Sequence, residues 1–321
     1  MAGRISTREG MLDRSDRLPH GRPITEIASS SARELASATY RQLREQILDW
    51  MVFGRQQGTG AITARYVGKG AYGVIFEAFR CCPVTREVRP SEHTGYVAKI
   101  VRFGRSAPQE SFWNEQTIAD RARKNGVPTP YLYYAGVLSG VPPVGVLIME
   151  RCTGTLVDLF RKFYSRKTPD QAAALFVYLV EPAIAGILAA LRNAGIMHCD
   201  LTPQNLMYIE TPGKPLFDER LDVLNNPPMV YVVDFGFAAE FNVGLGQAIV
   251  RASYYPRNAV YCRGYDAAFA SHALNVMMEA YGCDMTLSQF TFGMDVELRQ
   301  NYWLSYHWGH EWPRAEDYRP R

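Results

Sequence analysis

Residues 1 to about 30 show no apolar period and are rich in Arg and Ser, which predicts a flexible tail. Over 31–53, Leu35, Ala38, Leu43, Ile47 and Trp50 recur at three- and four-residue steps, the spacing of a helix, and a Gly- and Gln-rich linker runs on to residue 60. Between 61 and about 103 the runs AITARYVG, GVIFEAF and GYVAKIVRF are short, β-branched or aromatic, and bounded by turns, so they predict strands. A helix is expected over 109–125, then two strands, YLYYAGVL and VGVLIME. After about residue 153 the period becomes mostly helical: TLVDLFRKFYS, a long helix near 168–195 and another from Asp266 to about Tyr281. The short strands LMYIE and MVYVVDF interrupt it, with a polar loop over 211–228 between them. The succession predicts an α+β chain: a small, mostly β lobe over 61–150, then a mostly α lobe over 151–321 that closes on an aromatic-rich tail at 300–321.

Composition removes several classes. The 321 residues carry 35 basic and 32 acidic side chains, net +3, too weak a surplus for a nucleic-acid footprint. An apolar share of 47% with 21% charged residues is globular, neither disordered nor fibrous. The most apolar run, Ala172 to Leu191, is split by Glu181 and Pro182, which predicts a buried, kinked helix rather than a membrane span. The six cysteines form no C-x-x-C pair, so reduced thiols in a cytosol-like compartment are expected.

Four segments carry chemistry. Gly68, Gly70 and Gly73 form G-x-G-x-x-G between two strand patterns, where missing Cβ atoms would let backbone N–H groups approach phosphates. No Gly-Lys-Ser/Thr follows and no helix comes next, so neither a Walker nor a Rossmann loop fits, while a ligand-free hairpin remains open. Lys99 sits in an otherwise apolar strand and needs a counter-charge. Glu115 can supply it, since Phe112, Glu115, Ala119 and Ala122 share one helix face; a snorkelling lysine and a solvated glutamate are the alternative. In the loop from His198 to Asn205, Asp200 suits acceptance of a hydroxyl proton and the Asn205 carbonyl oxygen suits Mg2+. Asp234 ends an apolar strand as Asp-Phe-Gly, well placed for a cation.

In this order the segments resemble the signature set of the protein kinases, over roughly residues 61–281. The resemblance implies a two-lobed kinase-like fold with an antiparallel β lobe and a reduced C-terminal part. It implies an ATP-dependent protein kinase acting on Ser/Thr hydroxyls with Mg2+, or Mn2+ in its place. By that likeness Gly68, Gly70, Tyr72 and Gly73 cover the phosphates, and Val67, Ile75 and Val97 pack on the base. Lys99 holds the phosphates and pairs with Glu115, Met149 is the gatekeeper, and Glu150 and Cys152 offer backbone to adenine. Asp200 is the catalytic base, Asn205 and Asp234 hold the metal, His198 packs, and Asp266 ties the loop to the following helix.

The pattern also departs from the family. Cys199 replaces the arginine before the catalytic aspartate, which predicts activity without activation-segment phosphorylation. Thr202 replaces a lysine, the strand reads Val97-Ala98-Lys99, no A-P-E follows, and residues 80–94 and 211–228 look inserted. This compact pattern is similar to kinases of large DNA viruses. A protein substrate, a cytoplasmic or nuclear site (host cell or virion for a viral chain), and no nucleic-acid or membrane partner are expected. A small-molecule phosphotransferase of the aminoglycoside or choline type and a non-catalytic pseudokinase are the competing readings.

Overall fold

A computed structural model describes residues 62–69, 73–81, 88–103, 106–138, 143–210, 228–242, 247–249, 265–292 and 313–319. The expected 31–53 helix, the tip of the glycine hairpin with Gly70 and Tyr72, and the 211–227 loop lie outside them. The fold is mixed α and β, with an antiparallel sheet and several helices, compatible with a kinase-like fold. It divides into two compact units, one running to Phe112 and including Pro130–Arg151, the other holding Trp113–Thr129 and everything from Cys152 onward.

The first unit is built on β1 (Ile62–Lys69), β2 (Gly73–Cys81), β3 (Val88–Arg102), β4 (Leu132–Leu138) and β5 (Val144–Glu150), in sheet order β1-β2-β3-β5-β4. Every pairing is antiparallel. Strand β3 starts at Val88, earlier than the expected GYVAKIVRF run, because Val88 and His93 pair with Cys81 and Phe79 in the extended arm of β2. Part of the 80–94 insertion is therefore sheet. Alternation along β3 buries Ala98 and Ile100 on one face and Lys99 and Val101 on the other. On β5, Gly145 leaves room for the Phe103 and Phe112 rings, which meet edge to face at 5.3 Å; a Cβ there would lie 2.6 Å from the Phe112 ring.

Helix α1 (Ser106–Lys124) enters the second unit at Trp113. That unit continues with β6 (Gly154–Thr155), α2 (Leu156–Tyr164), α3 (Pro169–Ala194), β7 (Ile196–Met197), β8 (Leu206–Ile209), β9 (Met229–Val232), β10 (Ala239–Asn242), β11 (Gln247–Ile249) and α4 (Tyr265–Ala280). Thr155 and Thr168 start α2 and α3 with reciprocal capping boxes to Asp158 and Gln171, satisfying backbone donors that the helix itself leaves open. Pro182 lies inside α3 and removes one helical hydrogen bond. The helix continues because Leu179, Val180, Ile184, Ile187, Leu188 and Leu191 are buried on both sides of the proline. By length and composition alone α3 could cross a membrane; here its apolar face forms the centre of the second unit's core.

Candidate active site

Two small sheets of the second unit bring distant motifs together. Strand β7 ends just before His198 and pairs with β10, which begins just after Asp-Phe-Gly (Ala239 opposite Met197). Strand β8 begins just after Asn205 and pairs with β9, which ends just before Asp234 (Leu206 opposite Val232). The loop 198–205 and the turn 233–237 are thus held side by side by backbone pairing at both ends. Val233 N–H donates to the Asn205 carbonyl at 3.0 Å, and His198 Nε2 meets the Val233 carbonyl at 2.9 Å. Nδ1 of the same ring accepts from Asp200 N–H at 3.3 Å, so His198 carries its proton on Nε2. Its ring lies against Phe235 at 5.0 Å.

Both loops hold a non-glycine residue in left-handed backbone: Cys199 at φ 66° and Asp234 at φ 63°. Such a conformation costs about 1–2 kcal/mol for an L-residue. At Cys199 the compensation is visible. The buried Asp266 carboxylate of α4 accepts from His198 N–H at 2.7 Å and from Cys199 N–H at 2.8 Å, fixing the turn. Burial outweighs those two bonds and pushes the Asp266 carboxyl up to about 6.

Asp200 follows directly. The Asn205 amide donates through Nδ2 to the Asp200 carbonyl at 2.9 Å and to its carboxylate at 2.8 Å. Burial, then the charge of Asp234, raises the Asp200 carboxyl to about 7, against the pull of the Asn205 bond. A buried carboxylate whose proton affinity a second carboxylate raises marks a place where a cation would be favoured. With Nδ2 committed to Asp200, Asn205 keeps Oδ1 as a hard oxygen donor, in a loop whose backbone accepts from Val233, the residue before Asp234. Among the described residues there is no cluster of three or more His, Cys, Asp or Glu side chains for a metal. One carboxylate and one amide oxygen nevertheless fit Mg2+, which keeps waters and takes the rest of its shell from substrate phosphates. Residues Asp234 and Asn205 would hold it.

Sequence reading missed Asn114. From helix α1 its Nδ2 donates to the carbonyls of Phe235 at 3.2 Å, Gly236 at 3.1 Å and Ala238 at 2.6 Å. It sits one residue before Glu115, which is buried in the second unit at 6% exposure. Arg121, on the same helix, donates to the Ala194 carbonyl at 3.2 Å and pairs with Glu240 at 3.0 Å.

In the first unit, register puts the other candidates on one sheet face. Ile75 pairs with Lys99, Lys99 with Leu147, and Val97 with Met149, so Ile75, Val97, Lys99 and Met149 point the same way. Lys99 is 8% exposed. Gly68 lies opposite Ile75 with open space where a Cβ would be, while Val67 is exposed. Gly73 is required by the sheet itself, since a Cβ would lie 2.8 Å from the Ile100 carbonyl oxygen. Its missing side chain therefore has a structural cause before any phosphate is considered. Glu150 turns its carboxylate to Tyr131 N–H at 3.3 Å, and Arg151 pairs with Glu77 at 3.0 Å. Cys152 is buried in the second unit and forms no disulfide.

No family model matches the chain. It is 28% identical over 130 residues, 39% of its own length, to ribosomal protein S6 kinase alpha-3 of Mus musculus, and by the same measures to that of Homo sapiens. The likeness supports a protein-kinase relationship. The aligned part of the chain spans 15% of the length of those curated relatives.

Proposed function

We propose that the chain is an ATP-dependent protein kinase that transfers the γ-phosphate to Ser/Thr hydroxyls of protein substrates. The observation that carries the reading is the Asn205 amide bonded twice to Asp200, in a loop clamped from below by Asp266 and joined to the Asp234 turn through His198. Asp200 then holds its carboxylate in one orientation toward an incoming hydroxyl and accepts the proton as that oxygen attacks. Asn205 and Asp234 hold Mg2+, which when bound neutralises charge on the transferring phosphoryl group. Lys99 offers an ammonium to phosphate oxygens, and Glu115 is its proposed counter-charge. Gly68, Gly70, Tyr72 and Gly73 cover the phosphates, and Val67, Ile75, Val97, Met149 and the backbone of Glu150 and Cys152 receive the base. With cysteine at 199 no arginine there awaits an activation-segment phosphate, so activity without such phosphorylation belongs to the same proposal. So do a cytoplasmic or nuclear site and the kinship to kinases of large DNA viruses.

Radiolabelled ATP tests the reading. Wild type should label a generic basic protein, and Asp200→Asn should lose on the order of 10²–10³ in rate while still binding ATP. Lys99→Met should lose transfer as well. Label passing to a sugar or choline instead of protein would favour the small-molecule phosphotransferase, and ATP bound without transfer to any acceptor would mark a pseudokinase.

A further inference from the structure

Helix α3 is apolar on both sides but covered on one. Its inner face forms the core of the second unit, yet only 39% of its most apolar 18-residue stretch is buried. The outer face carries Ala174, Tyr178, Pro182, Ala185 and Ala189, all exposed, at steps of four, four, three and four residues, so they line one stripe along the helix. Tyr178 is 71% exposed. A helix on the surface of a globular protein ordinarily turns charged and polar residues outward. On α3 the exposed positions from Ala174 to Ala189 hold no charge. Gly186 flanks the stripe. Glycine in mid-helix is disfavoured against alanine, and a Cβ at Gly186 would meet nothing within 4 Å, so packing inside the chain does not ask for it. An open glycine beside exposed alanines suits the close approach of another helix.

We propose that this face pairs two copies of the chain, antiparallel, about a two-fold axis at Glu181 and Pro182. Reversing the helix about that point returns the stripe to itself: Tyr178 of one copy meets Ala185 of the other, beside Gly186, and Ala174 meets Ala189. A bulky ring thus lies over small residues, and each contact occurs twice, as a two-fold interface demands. The ends complement each other as well. Asp170 stands in the first turn and Arg192 in the last, both exposed and on the same edge of the stripe, so reversal sets Arg192 of each copy beside Asp170 of the other. Asp170 Oδ1 accepts from Asp284 N–H at 2.8 Å, which fixes the carboxylate at that end. Arg166 and Lys167 precede the Thr168 cap and fall beyond the end of the opposing helix. Glu181 is half-buried and comes near its own copy at the axis, a like-charge contact that opposes pairing. One helix pair is also small against the roughly 1,200–2,000 Å² of a standard interface, so the pairing is reversible and concentration-dependent. It does not depend on the kinase reading. Because α3 leads through Gly195 into β7 and the Asp200 loop, the two loops lie at opposite ends of paired helices about 39 Å long.

The test is sedimentation of the purified full chain over a concentration series, with Ala185→Arg and Glu181→Gln beside it. Wild type should move between monomer and dimer. Ala185→Arg sets an unpaired charge against Tyr178 of the other copy and should raise the dissociation constant by about tenfold or more, with an unchanged thermal melt because the position is exposed. Glu181→Gln should lower it. Mixing Ala174→Cys with Ala189→Cys under oxidation reads the register: a cross-link beyond the wild-type background should form in the mixture and in neither variant alone. A chain that stays monomeric at every concentration overturns the proposal, and so does a dimer that Ala185→Arg leaves intact. A cross-link in Ala174→Cys alone overturns the antiparallel order. A monomer that binds phosphatidylcholine vesicles, and loses them in Ala185→Arg, would assign the stripe to lipid and overturn the pairing.

Discussion

Replacing Asn114 tests whether helix α1 holds the Asp-Phe-Gly turn as the hydrogen bonds indicate. One amide faces three carbonyls, at 3.2, 3.1 and 2.6 Å, but it owns only two N–H groups, so one acceptor shares a proton. At about 0.5–1.5 kcal/mol net for each bond, Asn114→Ala should cost about 1–3 kcal/mol. For a chain of this size that lowers the melting temperature by about 2–4 °C per kcal/mol. Asn114→Asp has nearly the same shape but sets a carboxylate against the same three carbonyls. It should be the worse variant at neutral pH and recover part of the loss in acid, where a protonated carboxyl donates again. Thermal melts across pH read the stability, and phosphate transfer to a basic protein reads the turn. Both variants should lose transfer by more than their melting shift explains at the assay temperature, because the turn carries Asp234. An Asn114→Ala protein that melts within about 1 °C of wild type and transfers phosphate normally would refute the reasoning.

Asp266→Ala strands two buried N–H groups, and at about 1–3 kcal/mol each it should be among the most destabilising single changes in the second unit; urea unfolding measures it. The Asp266 carboxyl stands near 6 in the folded chain against an ordinary 3.8, so the native state binds its proton more tightly between those values. Its contribution to stability is full below the unfolded value and falls as pH rises through the folded one. Asp266→Asn, which cannot titrate, should lack that slope in urea melts from acid to neutral pH. Gly145→Ala places a methyl 2.6 Å from the Phe112 ring and should cost about 1–3 kcal/mol through overpacking, visible as a lower melting temperature and refuted by an unchanged one.

Local signals were legible and remote ones were not. Short β-branched and aromatic runs bounded by turns foretold β1, β2 and β5, and the 168–195 helix has its Thr cap, first-turn proline and left-handed Gly195 encoded within a few residues of its ends. Asp200 and Asn205 were readable because five residues of loop hold both. Asn114 was not, since its acceptors lie more than a hundred residues away and nothing near it announces them. The start of β3 was placed too late because His93 and Val88 become strand only by pairing with β2. Cys199 gave no hint of left-handed backbone; Asp266, 67 residues further on, imposes it. Lys99 was singled out as a strand lysine needing a counter-charge and Glu115 as facing inward from its helix, and each is buried in its own unit.

Three of the cysteines within the described residues offer a way to watch the molecule breathe. Cys152, Cys199 and Cys283 are all buried and outside any disulfide, and the Cys199 sulfur rests against the Met197 carbonyl with no exposure at all. An alkylating reagent can reach such a thiol only when the surrounding backbone opens, so the modification rate at each position is a clock for the opening beneath it. Position 199 ticks for the loop that carries Asp200, position 283 for the chain just past α4, and position 152 for the approach to β6. Comparing the three rates with and without nucleotide would show which part of the chain a bound ligand quiets, with no substitution in the sequence.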